Sequence, residues 1–156
     1  APSIRILEGR EVQNGMTHVG IWKQVVHARS VLQYRGNGDG LLLAFQNNQG
    51  FIKKDEELIR IVKTVKSPWF GLMLDPANVE GPDPYTSISS LIPATVSWQL
   101  KENVLVDGMQ EAIDFPRLMS LIHRGKYYGF LPMEAGGEGN PKEKVQQLYW
   151  KVAKFI

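Results

Sequence analysis

Four short apolar runs in this chain each give way to side chains able to do chemistry. LLLAF leads into Gln46-Asn47-Asn48 and WFGLML into Asp75-Pro76-Ala77-Asn78. TVSW leads into Gln99, Lys101 and Glu102, and GFLPM into Glu134. Two carboxylates and two amide oxygens brought to one point would suit a hard divalent cation, Mg or Mn, which takes oxygen ligands. Lys101 lies two residues beyond Gln99, hence on the same side of a strand. A lysine there would stabilise an enediolate, or hold a carboxylate or phosphate. Glu102 falls on the outer or loop side. There is a plainer reading of the same residues: polarity returns wherever a strand ends, and a lysine at such a place also snorkels at a rim. On position alone both readings stand.

Convergence depends on the elements that carry these residues. Ile4–Leu7, Leu41–Phe45, Trp69–Leu74, Thr95–Leu100 and Gly129–Met133 read as short buried strands. Between them lie helical patterns: Thr17–Tyr34, a helix capped by Asp55 with Leu58, Ile59, Ile61, Val62 and Val65 on one face, a short helix over Pro84–Ile92, and a helix capped by Asp114. The last helix starts at Asn140-Pro141, with a cap, a proline at the first helical position and Glu143 three residues after the cap; Val145, Leu148, Tyr149 and Val152 form its apolar face. The result is β-α repeated five times within one domain over 1–156, with no separating linker. Apolar strands alternating with helices form a parallel sheet covered by helices, and the chemistry of such sheets sits at the carboxyl ends of the strands.

Composition narrows the function classes. Eighteen Lys and Arg against sixteen Asp and Glu give a net charge of +2, with the signs interspersed, so no nucleic-acid footprint is expected. Cysteine is absent, which removes disulfides and thiolate chemistry. No apolar run approaches the roughly 18 residues of a membrane span, and no signal peptide is visible. The start Ala1-Pro2-Ser3 reads as a processed or truncated end, and cytoplasmic and periplasmic locations both stay open. His18, His27 and His123 lie in helical patterns away from strand ends and read as surface or packing residues, while Trp22, Trp98 and Trp150 read as core or helix–sheet packing. Gly36–Gly40 precedes a strand, so it is no dinucleotide fingerprint. Gly136-Gly137-Glu138-Gly139 reads as a turn, since Glu138 argues against a phosphate.

Four segments together resemble the xylose-isomerase-like TIM-barrel superfamily of sugar phosphate isomerases and epimerases: LLLAFQNNQGF, SPWFGLMLDPANV, DPYTSISSLIPATVSWQLKENV and IDFPRLMSLIHRGKYYGFLPMEAGGEGNPKEKV. They keep the family's order over nearly the whole chain. The resemblance implies the C-terminal five-eighths of a (β/α)8 barrel, without the first three βα units. It implies a divalent metal, Mn or Mg, on Gln46, Asp75, Gln99 and Glu134. Glu134 and Lys101 would be the catalytic residues, and Asn47, Asn48, Asn78 and Lys101 would bind substrate. Gln46 stands where the family usually has glutamate and Asn48 where it has histidine. One glutamate of the family's acid–base pair is therefore replaced, which favours one-base isomerisation or lyase or hydratase chemistry on a keto-sugar over two-base epimerisation. A non-catalytic sugar- or partner-binding barrel fragment is the alternative. Phosphodiester cleavage, also found on this fold, needs more His and carboxylate ligands than the chain has. The expected partners are a small sugar and, because five parallel strands leave open edges, a second copy or a missing N-terminal half-barrel.

Overall fold

The computed structural model describes residues 3–7, 40–48, 50, 52 and 54–156. The helix predicted over Thr17–Tyr34, with His18, Trp22 and His27, lies outside the described residues, as does most of the glycine cluster before Gly40. In chain order the described elements are β1 (Ser3–Ile6), β2 (Leu42–Gln46), α1 (Asp55–Val65), β3 (Phe70–Leu74), β4 (Glu80–Gly81), α2 (Pro84–Leu91), β5 (Thr95–Trp98), β6 (Asn103–Val106), β7 (Met109–Ala112), α3 (Phe115–Arg124) and α4 (Pro141–Ala153). Short 3-10 turns cover Pro76–Asn78 and Ile92–Ala94. None of the described helices is long and apolar enough to cross a membrane.

The main sheet is parallel in the order β1-β2-β3-β5, with Ile6 opposite Phe45, Gln46 opposite Met73 and Leu74 opposite Trp98. Its strands read as near-continuous apolar runs because helices cover them. α1 buries Leu58, Ile61 and Val65, and α3 buries Phe115, Leu118, Met119, Leu121 and Ile122. Trp98, Leu74, Ile88, Leu91, Leu100 and Leu118 are fully buried at the centre of the core. N-caps start the helices where the sequence places them. Asp114 accepts from the Arg117 amide at 3.0 Å and Asn140 from the Lys142 amide at 3.0 Å. Asp83, ahead of Pro84, accepts from the Tyr85 amide at 3.2 Å. At α1 the cap falls one residue earlier than expected, on Lys54, and Asp55 is the first helical residue.

Three expectations need correction. The strand predicted over Gly129–Met133 shrinks to a single parallel bridge between Leu100 and Met133. Pro132 has no amide to give to a ladder, although its carbonyl accepts from the Leu100 amide at 2.8 Å. Tyr127 Oη takes up the Phe130 carbonyl at 2.8 Å, and Phe130 stays 85% exposed. Trp150, expected in the core or in helix–sheet packing, is 64% exposed and packs edge-on against Tyr149 at 5.0 Å. Leu148 and Val152 hold the buried stripe of α4, and a residue two positions from each lies on the far side of a 3.6-residue turn. Finally, there is a second sheet, in the order β4-β6-β7, where no strands were expected: β4 precedes α2, and β6 and β7 follow Glu102. Its hairpin turns at Asp107-Gly108, with φ of 47° and 81°. Paired positive φ values are those of a type I′ turn, for which Asp-Gly is a preferred sequence.

Candidate active site at the strand ends

β2, β3 and β5 run parallel, so their carboxyl ends share one edge of the sheet and deliver Gln46, Asp75 and Gln99 to it. The sheet continues beyond β5 through the Gln99 amide, which donates to the Leu74 carbonyl at 2.9 Å. The Leu100–Met133 bridge then sets Glu134 beside the others, its amide donating to the Leu100 carbonyl at 2.8 Å. Gln46, Asn48, Asp75, Asn78, Gln99, Lys101 and Glu134 line one cavity of about 660 Å³, together with Arg5, Leu7 and Gly50. Lys101 shares the Gln99 side of the chain, as its spacing predicts. Asn47 is different: its side chain is buried and ties two strand ends together. It donates to the Asp75 carbonyl at 3.0 Å and accepts from the Asp75 amide at 2.8 Å. Asn47 thus holds Asp75 in place rather than lining the cavity.

Asp75 is the hub. It is 0% exposed. Its Oδ2 accepts from Lys101 Nζ at 2.8 Å, Asn78 Nδ2 at 3.0 Å and Gln46 Nε2 at 3.2 Å. Its Oδ1 accepts from the Ala77 amide at 3.0 Å. Burial pushes the Asp75 carboxyl above its ordinary value; the hydrogen bond and charge of Lys101 oppose this, and nearby Glu134 adds to it. Gln46 Nε2 also donates to Gln99 Oε1 at 2.6 Å, and Arg5 approaches the same oxygen at 3.2 Å. Glu134 is the exposed acid of the group, its side chain 49% accessible and Oε1 4.0 Å from Lys101 Nζ.

The four expected metal ligands are therefore brought together, but as arranged they do not fit a divalent cation. The Gln46 NH2 group and the Lys101 ammonium instead donate to the oxygens that the cation would use. Both Asp75 oxygens and the Gln99 oxygen already accept from donors. Among the described residues no three His, Cys, Asp or Glu side chains cluster to hold a metal ion.

A second cleft of about 770 Å³ adjoins the first and shares Asn78, Lys101 and Glu134 with it. Asn103, Leu105, Gly108 and Gln110 of the hairpin line it, with Gly136 and Gly137. Glu102, expected on the loop side, also lines this cleft and pairs with Lys151 at 3.0 Å. His123 is exposed on α3, away from both clefts. The sequence reading passed over Arg5 and the hairpin. A charged residue inside the short strand β1 and the Asp107-Gly108 turn were the signals available for them.

No family model and no curated protein sequence matches the chain. Solved structures do. A xylose isomerase domain protein from Planctomyces limnophilus superposes with a TM-score of 0.73 at 15% identity, over 99% of this chain and 58% of that one. The E. coli 3-keto-D-glucoside 4-epimerase, in its apo form, gives 0.69 at 14%, over 88% and 56%. A xylose isomerase-like TIM-barrel protein from Mycobacterium smegmatis, in complex with magnesium, gives 0.72 at 15%, over 92% and 53%. The chain has part of a xylose-isomerase-like TIM-barrel fold. It spans little more than half the length of these barrels. The edge where Gln46, Asp75, Gln99 and Glu134 meet is the end of the strands where such barrels place their active sites.

Proposed function

We propose that the chain forms one side of an isomerase- or epimerase-type active site for a sugar or keto-sugar, in which Glu134 moves the proton and Lys101 holds the developing negative charge. The observation that carries this reading is the pairing of the half-exposed Glu134 carboxylate with the Lys101 ammonium, 4.0 Å apart in one cavity at the strand ends. Sugar isomerisation breaks a C–H bond beside a carbonyl. The proton passes to a Glu134 oxygen while the electron pair moves to the carbonyl oxygen. The proton then returns to the former carbonyl carbon as the neighbouring hydroxyl passes its own proton to the former carbonyl oxygen and becomes the new carbonyl. Lys101 spends one N–H on Asp75 and keeps two for the enediolate oxygen. The amides of Gln46, Asn48, Asn78 and Gln99 in the lining suit a hydroxyl-rich ligand, and one neighbour of the same fold is a sugar epimerase. Among the described residues Asp75 is sealed off from solvent, so Glu134 is the one lining carboxylate free to reach a substrate. The proton then leaves and returns on one face, which favours one-base isomerisation, with elimination from the same enediolate as its variant.

The test is solvent deuterium exchange into a panel of keto-sugars and aldoses, with the rest of the barrel supplied. Glu134→Gln is expected to slow exchange at least about a hundredfold, the usual lower bound for losing a general base. Exchange undiminished in that variant removes Glu134 from the mechanism, and no exchange with any sugar points to a binding protein instead.

We further propose that the chain functions in association, with a second copy or with the remaining units of a barrel. Tyr128 and Phe130 are 88% and 85% exposed beside the last bridge of the sheet, and Tyr149 and Trp150 lie open on α4. Exposed apolar surface of this kind marks a contact face.

A further inference from the structure

We infer that this site works without a divalent cation, the Gln46 amide NH2 and the Lys101 ammonium standing in the cation's place. The inference goes beyond the proposed reaction and concerns what the chain's own donors leave for a metal to bind. A carboxylate has about four lone-pair positions and an amide oxygen two. Asp75 receives four donors: Lys101, Asn78 and Gln46 on Oδ2 and the Ala77 amide on Oδ1. Gln99 Oε1 receives two, from Gln46 and Arg5. Asp75 Oδ2 and Gln99 Oε1 therefore have no lone pair left for a hard cation, Asp75 Oδ1 keeps one, and Mg binds the other oxygens only after they are freed.

Charge gives the same answer. Among the described residues, the ionisable ones lining the cavity are Arg5, Lys101, Asp75 and Glu134, two of each sign. The set is neutral as it stands, and a bound divalent ion would leave two positive charges without a counterion in a partly buried site.

Gln46 decides the matter. Its Nε2 bridges Asp75 Oδ2 at 3.2 Å and Gln99 Oε1 at 2.6 Å. A carboxylate at position 46 would have no N–H for either oxygen, and two acids about 3 Å apart cannot both ionise without a cation between them. Lys101 in turn supplies to a substrate oxygen the positive charge that a metal would otherwise supply, and Asp75 holds it at 2.8 Å.

Melting curves and titrations with Mn2+ or Mg2+ need no substrate, so they decide this point whether or not sugar exchange is found. After chelator treatment the wild-type chain is expected to melt at the same temperature with and without Mn2+, and to leave free Mn2+ unchanged by electron paramagnetic resonance. Gln46→Glu is expected to melt higher in Mn2+ and to bind it at least about tenfold more tightly than wild type, because ligand charge sets affinity at such sites. Tight Mn2+ binding by the wild type that is lost in Asp75→Asn overturns the inference. So does a folded Gln46→Glu that takes up no Mn2+. Should Gln46→Glu fail to fold, the wild-type titration alone carries the decision.

Discussion

Asp75 combines two opposed demands. It is sealed from water, which penalises its charge, and it gathers four donors, which favour it. Burial dominates, so its carboxyl lies above the ordinary value. A raised value in the folded chain means that the folded state holds a proton the unfolded state has lost. That contribution to stability is fully present below the unfolded value and disappears as pH rises through the folded one. The expected outcome is that the melting temperature of the wild type, relative to Asp75→Asn, rises as pH falls through the window just above 3.8. A difference that shrinks over that window would show that the donors outweigh burial. At neutral pH the same substitution should cost about 1–3 kcal/mol in chemical denaturation, since an NH2 group would then face the donors of Lys101, Asn78 or Gln46. The convergence of Gln46, Asp75, Gln99, Lys101 and Glu134 was legible in the sequence because parallel strands end on one edge. Which partners saturate those side chains was not. Arg5 stands 94 residues from Gln99, and no local pattern announces that contact.

At the scale of elements, one bulge sets the aim of the site. The register between β3 and β5 shifts between Leu72 and Met73, so that Leu72 faces Thr95 while Met73 faces Ser97, and Val96 is the extra residue. Bulges re-aim side chains near functional sites. Gly71 makes room for this one, since a Cβ there would lie 2.3 Å from Val96 Cγ1 and 3.0 Å from the Ala94 carbonyl oxygen. Gly71→Ala is expected to destabilise the chain by about 1–3 kcal/mol, the usual cost of overpacking, as measured by denaturant midpoint. A neutral substitution would mean that Val96 turns aside freely. The strands up to Trp98 and the capped helices could be read from apolar runs and from Asp83, Asp114 and Asn140. The second sheet could not, because every residue of β7 is exposed and gives no alternating pattern. The segment over Gly129–Met133 misled for the opposite reason: Phe130 and Leu131 look like a strand, but Pro132 interrupts the ladder and Phe130 turns to solvent.

At the scale of the molecule, the apolar side chains left open among the described residues include Tyr128, Phe130, Tyr149 and Trp150 at one end of the sheet and Ile4 and Leu7 at the other. A barrel of this type needs about 250 residues to close, and the chain matches little more than half of each neighbour. The chain is expected to associate with rising concentration, seen as growing mass by light scattering, and to bind an apolar dye. A clean monomer at high concentration with no dye binding would refute this.

Glu134 is fastened to the sheet by very little. Its amide donates to the Leu100 carbonyl and the Leu100 amide to the Pro132 carbonyl, both at 2.8 Å, and this pair of bonds is the whole of the Leu100–Met133 bridge. Two hydrogen bonds at a margin fray far more often than a ladder. Each opening carries Glu134 away from Lys101, so in the proposed reaction the fraction of molecules poised for proton transfer is the closed fraction of this one clasp. Amide hydrogen exchange reads that fraction directly. The Glu134 amide should exchange well ahead of the Gln99 amide, which is anchored on Leu74 at 2.9 Å within the main sheet. Whatever packs against Phe130 and tightens the clasp then enlarges the closed fraction, and with it the rate of the proposed reaction, without touching the site.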